Sequence, residues 1–217
     1  MKYLKKKRYQ NYQTAVLVTI VILLFLIGFL ITLGKINSFL FINLRYSKPG
    51  DLIFPYINYL GDGLIYIPVV LYCIFFKREY LIPAIAAILI CTVLSQFLKR
   101  FVYPDELNLR PISLEDQHII IHKITGVEIS TYNSFPSGHT STAFTLALLL
   151  AYFTSKKLWA FILPLIALSV GYSRIYLAQH FVTDICGGIV VGLVSSFLSL
   201  LIYNSWLKKR QRRLENN

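Results

Sequence analysis

The chain has 217 residues, 56% of them hydrophobic and 15% charged, with a mean hydropathy of +0.59. That composition marks an integral membrane protein and excludes disordered, collagen-like and disulfide-stapled chains, which need low hydrophobicity, a glycine period and far more than 3 Cys respectively. The formal charge of +12, from 22 Lys and Arg against 10 Asp and Glu, would suggest nucleic acid in a soluble chain, but in a membrane chain its distribution reads as topology.

A spanning helix needs about 20 mostly apolar residues, and residues 15–34 supply them without a charge. Lys5-Lys6-Lys7-Arg8 before this run resembles the head of a signal peptide, but the run is too long and no small-residue cleavage pattern follows, so it reads as a retained first helix. Apolar runs at 59–76, 81–98, 140–155, 158–172 and 182–203 bring the expectation to about six spans. Cys73, Cys91 and Cys186 all lie inside these runs, without the spacing of a metal or redox motif.

Fourteen of the 22 basic residues fall at the termini and in two short turns, Lys77-Arg78 and Lys156-Lys157. With an even number of spans they all share one side, which the bias of Lys and Arg toward inner loops makes cytoplasmic. Both termini are then inside: 1–14 is a basic cytoplasmic N-terminus, 15–205 the membrane domain and 206–217 a basic cytoplasmic tail. The connections 35–58, 99–139 and 173–181 face outward, and the first two read as ordered loops, punctuated by Pro49-Gly50, Pro55, Pro104, Pro111 and Pro136. Residues 119–129, β-branched around Thr125-Gly126, have the pattern of a short hairpin.

Lys99, Arg110 and Arg174 break the charge rule by lying on the outer side, so they need another reason. Lys99 ends the third span, His139 opens the fourth, Arg174 ends the fifth, and His180 with Asp184 opens the sixth. Three cations, two imidazoles and a carboxylate therefore converge at one membrane face, a set that suits phosphate: Arg presents a planar fork to its oxygens and Lys a point charge. The turn Phe135-Pro136-Ser137-Gly138-His139 leads into the fourth span, where free N–H groups and the helix dipole favour the same anion. Ser137 offers a hydroxyl, Gly138 a close backbone approach, and His139 a proton for a departing oxygen.

His180 and Asp184 are four apart, so on a helix they share a face and the carboxylate holds one ring nitrogen. The other nitrogen is then a nucleophile toward phosphorus. Asp62, beside the outer end of the second span, reads either as a helix cap or as a counter-charge to the cations. The dispersed carboxylates Asp105, Glu106, Glu115, Asp116 and Glu128 read as solvated, and His118 and His122 as structural.

Three motifs in these residues resemble those of the phosphatidic acid phosphatase type 2 superfamily, which contains membrane lipid phosphatases and vanadium haloperoxidases. They are Lys99 with Arg110-Pro111, Pro136-Ser137-Gly138-His139, and Ser173-Arg174 with His180 and Asp184. The family pattern places six residues between its Lys and its Arg-Pro where ten stand here, so either the loop carries an insertion and Lys99 keeps the role, or Arg100 takes it; Lys99 matches the position beyond the third span. The resemblance implies an all-α integral membrane enzyme that hydrolyses a lipid phosphate or diphosphate without a metal or other cofactor. It implies His180 as the phosphorylated nucleophile, His139 as general acid, Asp184 as the partner of His180, and Lys99, Arg110, Ser137, Gly138 and Arg174 as phosphate ligands. The expected setting is a bacterial plasma membrane with an extracytoplasmic active site, no nucleic-acid partner, and phosphatidate, phosphatidylglycerol phosphate or a polyprenyl diphosphate as substrate. Alternatives are a lipid-linked phosphotransferase using the same site and a non-enzymatic anionic-lipid binder or transporter.

Overall fold

A computed structural model describes residues 2–103 and 108–215, with side chains from Lys6 onward. Pro104, Asp105 and Glu106, and the side chains of Lys2 and Lys5, lie outside the described residues. Seven α-helices carry the described chain: α1 Lys2–Asn43, α2 Lys48–Asn58, α3 Tyr66–Phe76, α4 Leu81–Phe97, α5 Gly138–Phe153, α6 Leu158–Tyr176 and α7 Val182–Glu215.

Among the described residues, four helical stretches are long and apolar enough to cross a bilayer: Lys6–Asn43, Arg78–Val102, Leu158–Tyr176 and Val182–Glu215. The second expected span, 59–76, is not a straight helix. Its residues belong to a pair, Lys48–Gly61 and Gly63–Phe76, bent by 58°. The fourth expected span, α5, has 16 residues, or ~24 Å of helix, short of the ~30 Å hydrocarbon core. The six spans expected from the apolar runs are thus four long helices, one bent pair that counts as a fifth if it crosses, and a short central helix. Only 11% of the apolar window of α1 is buried within the protein, so lipid must cover the rest.

The outer connection 35–58, expected as a loop, is mostly helical. α1 continues past Gly34, whose φ of +77° kinks it, and its extension buries Ser38, Phe39 and Asn43. α2 starts where Ser47 caps the N–H of Gly50, with Pro49 and Asp51 in its first turn. No strand occurs among the described residues, so the hairpin expected at 119–129 is absent. Its backbone is bonded to α1 instead: the Asn43 side chain accepts from the His122 N–H at 2.8 Å and donates to the His122 carbonyl at 3.1 Å. The His122 ring stacks on Tyr46 with centroids 3.9 Å apart and lies 2.8 Å from Asp51, which also accepts from the Tyr176 hydroxyl at 2.6 Å. This cluster ties α1, α2 and the outer connection to the end of α6, two residues beyond Arg174.

α5 is the axis of the bundle. Twelve of its 16 residues are buried, against α4, α6, α7 and α1. Its most extensive packing is on α7, which meets it through Gly188 and Gly192, the spacing that lets membrane helices pack backbone to backbone. A Cβ on Gly192 would stand 2.7 Å from the Phe144 Cβ and 3.1 Å from the Thr145 amide nitrogen. Gly192→Val is therefore expected to lower stability by about 1–3 kcal/mol, the usual cost of overpacking. Thermal unfolding in detergent reads this as a lower midpoint, and an unchanged midpoint would mean that α5 and α7 can separate freely.

At the far end of α5 from Gly138, Asn11 donates to the Thr154 carbonyl at 3.0 Å. There Arg8 lies 3.5 Å from Glu79 and 5.2 Å from the Tyr80 ring centroid. The start of α1, the α3–α4 turn and the α5–α6 turn, with their basic residues, thus share one end, opposite His139 and His180. The final helix α7 runs unbroken across residue 206 to Glu215, so the expected tail continues the last membrane helix.

Candidate active site

The pairing of His180 with Asp184 is built by a loop and a helix start. α6 ends at Tyr176, and a turn with Ala178 at φ +54° leads to His180, one residue before Phe181 and α7. The Arg174 carbonyl fixes this turn by accepting from the N–H groups of Gln179 and His180, at 2.9 and 3.2 Å. Asp184 is the third residue of α7 and reaches back to the Phe181 N–H at 2.8 Å, as an acidic residue in a first turn commonly does. The same oxygen accepts from the Ser134 hydroxyl at 2.5 Å and lies 3.4 Å from His180 Nδ1. The shared helical face expected for the pair is therefore a correction: His180 lies outside the helix, and Asp184 meets it from the helix N-terminus.

His180 is 1% exposed. Burial first, and then the charges of Arg174, Arg110 and Lys99, hold its imidazole well below the ordinary value. The ring therefore stays neutral, which a nucleophile requires. With Nδ1 facing Asp184, Nε2 is the nitrogen left for attack.

Ser137 caps α5, its oxygen accepting from the Thr140 N–H at 3.4 Å and the Thr140 hydroxyl at 2.9 Å. Its own hydroxyl hydrogen remains available to an anion. The Ser137 N–H donates to the Asp184 carbonyl at 3.0 Å, which joins the start of α5 to the start of α7 and so places both histidine segments together. Nothing lies within 4 Å of where a Cβ would stand on Gly138, so a ligand can come close to the backbone there.

The cations arrive from three directions. Arg174, 5% exposed, donates through Nη1 to Asn58 Oδ1 at 2.6 Å, while its buried Nε–H has no partner among the described residues. A buried guanidinium N–H left open is costly unless a ligand takes it. Arg110 donates to three backbone carbonyls, Tyr132 through Nε at 2.8 Å, and Gln179 and Asn133 through its terminal nitrogens at 3.3 Å each. Burial pulls its guanidinium below the ordinary value and the charge of Asp184 pulls it back up. Lys99 lies in a single π-helical turn, Leu98–Val102, and donates to the Asn133 carbonyl at 3.1 Å, within electrostatic reach of Arg110, Arg174 and Asp184. Arg100, the other contender for that role, is exposed.

His139 Nε2 stands 4.0 Å from Asp62 Oδ2. Asp62 also caps the second half of the bent pair, accepting from the Leu64 N–H at 2.8 Å, so both readings of it coexist. Asn58, Ser134 and Asn108 were not singled out from the sequence. Asn108 exchanges hydrogen bonds with the backbone of Phe135, whose peptide bond to Pro136 is cis. Their contribution depends on partners up to 116 residues away, and no local pattern announces it. Glu128 enters this arrangement through its backbone alone, its carbonyl accepting from Gln179 Nε2 at 3.1 Å, and Glu115 pairs with Lys123 at 2.7 Å.

The profile of the PAP2 superfamily matches residues 80–208, which contain every motif residue above. The chain belongs to the PAP2 superfamily. A lipid A 4'-phosphatase from Porphyromonas gingivalis is 31% identical over 147 residues, 66% of this chain and 61% of that protein. The chain thus spans under two thirds of that relative's length. An undecaprenyl-diphosphatase from Sulfolobus acidocaldarius is 30% identical over 193 residues, 87% of this chain and 86% of its own. Among solved structures, Aquifex aeolicus LpxE superposes with a TM-score of 0.64 at 32% identity, covering 76% of this chain and 94% of that one. The all-α membrane fold is thereby that of PAP2 phosphatases.

Proposed function

We propose that this PAP2 protein hydrolyses a phosphomonoester or diphosphate on a lipid, through a phosphohistidine on His180. The observation that carries the reading is the convergence of a neutral, Asp184-bound His180 with His139, a buried open guanidinium N–H on Arg174, and the groups of Arg110, Lys99 and Ser137. A site that only bound phosphate needs the cations and the hydroxyl but not the nucleophile and its carboxylate.

In the first half, His180 Nε2 forms a bond to phosphorus while the bond from phosphorus to the lipid oxygen breaks and His139 gives that oxygen its proton. Arg174, Arg110 and Lys99 stabilise the charge on the remaining phosphoryl oxygens, with Ser137 and the Gly138 N–H at the helix start. Asp184 stabilises the positive charge that develops on the His180 ring. In the second half His139 takes a proton from water, the water oxygen bonds to phosphorus, and the nitrogen–phosphorus bond breaks to release phosphate. The donor set is cationic, so the residues neutralise the phosphoryl charge without a metal ion.

The lipid substrate is supported by placement, because a polar site at one end of a bundle with a lipid-covered surface lies at headgroup depth. The names of the relatives, a lipid A phosphatase and an undecaprenyl diphosphatase, support the same substrate class. The distribution of basic residues supports cytoplasmic termini and an extracytoplasmic site. The test is phosphate release by the purified protein in detergent, across phosphatidate, phosphatidylglycerol phosphate and a polyprenyl diphosphate, with and without EDTA. Release from at least one of these lipids at an unchanged rate in EDTA is expected. No release from any, with folded protein, would overturn the reading, and product that forms only with an added acceptor and without free phosphate would make the chain a phosphotransferase.

A further inference from the structure

The bend between α2 and α3 lies directly on the catalytic end of α5. A Cβ on Gly61 would stand 2.8 Å from both the Cβ and the carbonyl oxygen of His139, and 2.5 Å from Val170. Only glycine lets the chain seat so closely, and the next residue, Asp62, is thereby held beside the His139 ring. Its two oxygens have separate tasks: Oδ1 accepts from the Leu64 N–H at 2.8 Å, and Oδ2 faces His139 Nε2 at 4.0 Å.

The charges around His139 come from every element packed on it. Arg174 faces it from α6, Lys99 from the turn after α4 and Arg110 from the connection before α5, with His180 from the α6–α7 turn. Asp184 is bonded to Ser134, Phe181 and His180. Among the described residues, Asp62 is the carboxylate left to face His139. Burial first, and then the charges of Arg174, Lys99 and Arg110, disfavour the protonated form of this imidazole, with Asp62 opposing them, yet a general acid has to carry its proton when the ester bond breaks.

We propose that Asp62 is a positioning residue for the reaction: its carboxylate orients the His139 ring and offsets the surrounding cations, so that the ring carries the proton that the departing lipid oxygen takes. The inference rests on His139 being the general acid. The proton passes from His139 to the leaving oxygen and returns from water in the second half, and Asp62 itself is unchanged throughout. Asp62 opposes the cations beside the ring throughout, and the substrate dianion adds its own negative charge to that of Asp62 when it arrives.

Asp62→Asn is the discriminating variant, because its amide oxygen can still cap Leu64 while the charge is gone. The readout is kcat/KM, which covers the steps up to formation of the phosphoenzyme, on phosphatidate and on p-nitrophenyl phosphate. The alkoxide of phosphatidate needs a proton to depart and the nitrophenolate does not. Expected is a loss of about tenfold or more on phosphatidate with p-nitrophenyl phosphate held within about twofold, a selective loss of acid catalysis. The alkaline limb of kcat/KM for phosphatidate moves to lower pH, and Asp62→Glu regains part of the rate. Equal losses on both substrates, or no loss on either, or an unmoved alkaline limb, would overturn the inference and leave Asp62 a helix cap alone. His139→Ala separates the two layers. If it also falls selectively on phosphatidate while Asp62→Asn does not, the acid role of His139 stands and the role of Asp62 fails. If His139→Ala falls equally on both substrates, the acid role itself is wrong and the proposal goes with it.

Discussion

His180→Ala is expected to lower phosphate release by more than about 10³-fold on every lipid substrate, as loss of a covalent nucleophile does. In the unsubstituted protein, acid-quench of a reaction run with labelled substrate near neutral pH should lose its label, whereas alkaline quench should preserve it on the protein, the stability order of a phosphorus–nitrogen bond. His180→Ala should carry none. Residual turnover within about tenfold of the unsubstituted rate would place the nucleophile elsewhere, since water alone cannot replace an oriented imidazole that well. The pH dependence has a definite sign. Burial and the three cations hold His180 well below its ordinary value, so the neutral ring persists as pH falls through the range where a free imidazole, near about 6.5, would protonate. The acid limb of kcat/KM, which reports the free enzyme, should accordingly contain no break near the ordinary imidazole value that belongs to His180.

The parts of this protein that were legible in the sequence are those in which the decisive residues are neighbours in the chain. An uncharged run of 20 residues can hardly be anything but a membrane helix, and 15–34 lies within α1. Pro136 to His139 and Ser173 to Asp184 are contiguous, and their residues come together because a helix start and a tight turn place them locally. Residues 35–58 were less readable because Pro49, Gly50 and Pro55 suggest a loop, while the signals that favour a helix there, Ser47 as cap and Pro49 with Asp51 in the first turn, are the same residue types that make turns. The bend at Gly61-Asp62 was hidden by the apolar residues on both sides, which continue the hydrophobic run while the backbone turns. The expected helical pairing of His180 with Asp184 failed for a related reason: a spacing of four is compatible with one helical face and equally with a residue in the third position of a helix reaching back past its cap. Asn58 was illegible because its meaning lies in Arg174, and only packing of α2 on α6 brings the two together.

That contact leads to the second large effect, at Arg174. Its guanidinium has divided duties: Nη1 is engaged by Asn58 at 2.6 Å, and the Nε–H is buried without a partner among the described residues. A planar fork with donors on two edges can be anchored through one while it offers the other to a phosphoryl oxygen, and an ammonium group, a single point on a flexible stem, cannot hold both positions. Arg174→Lys keeps the charge yet is expected to lower kcat/KM by about 10²–10³-fold, the range seen when one preorganised donor to a developing anion is removed. The same substitution should weaken inhibition by inorganic phosphate or vanadate, both of which occupy the phosphoryl site. Arg174→Lys with full activity would mean that charge alone suffices and that the open Nε–H has no ligand in the reaction. Loss of turnover with inhibitor affinity unchanged would mean that the guanidinium meets only the transition state, where the phosphoryl oxygens spread apart, and its orientation by Asn58 would then matter for the chemical step rather than for binding.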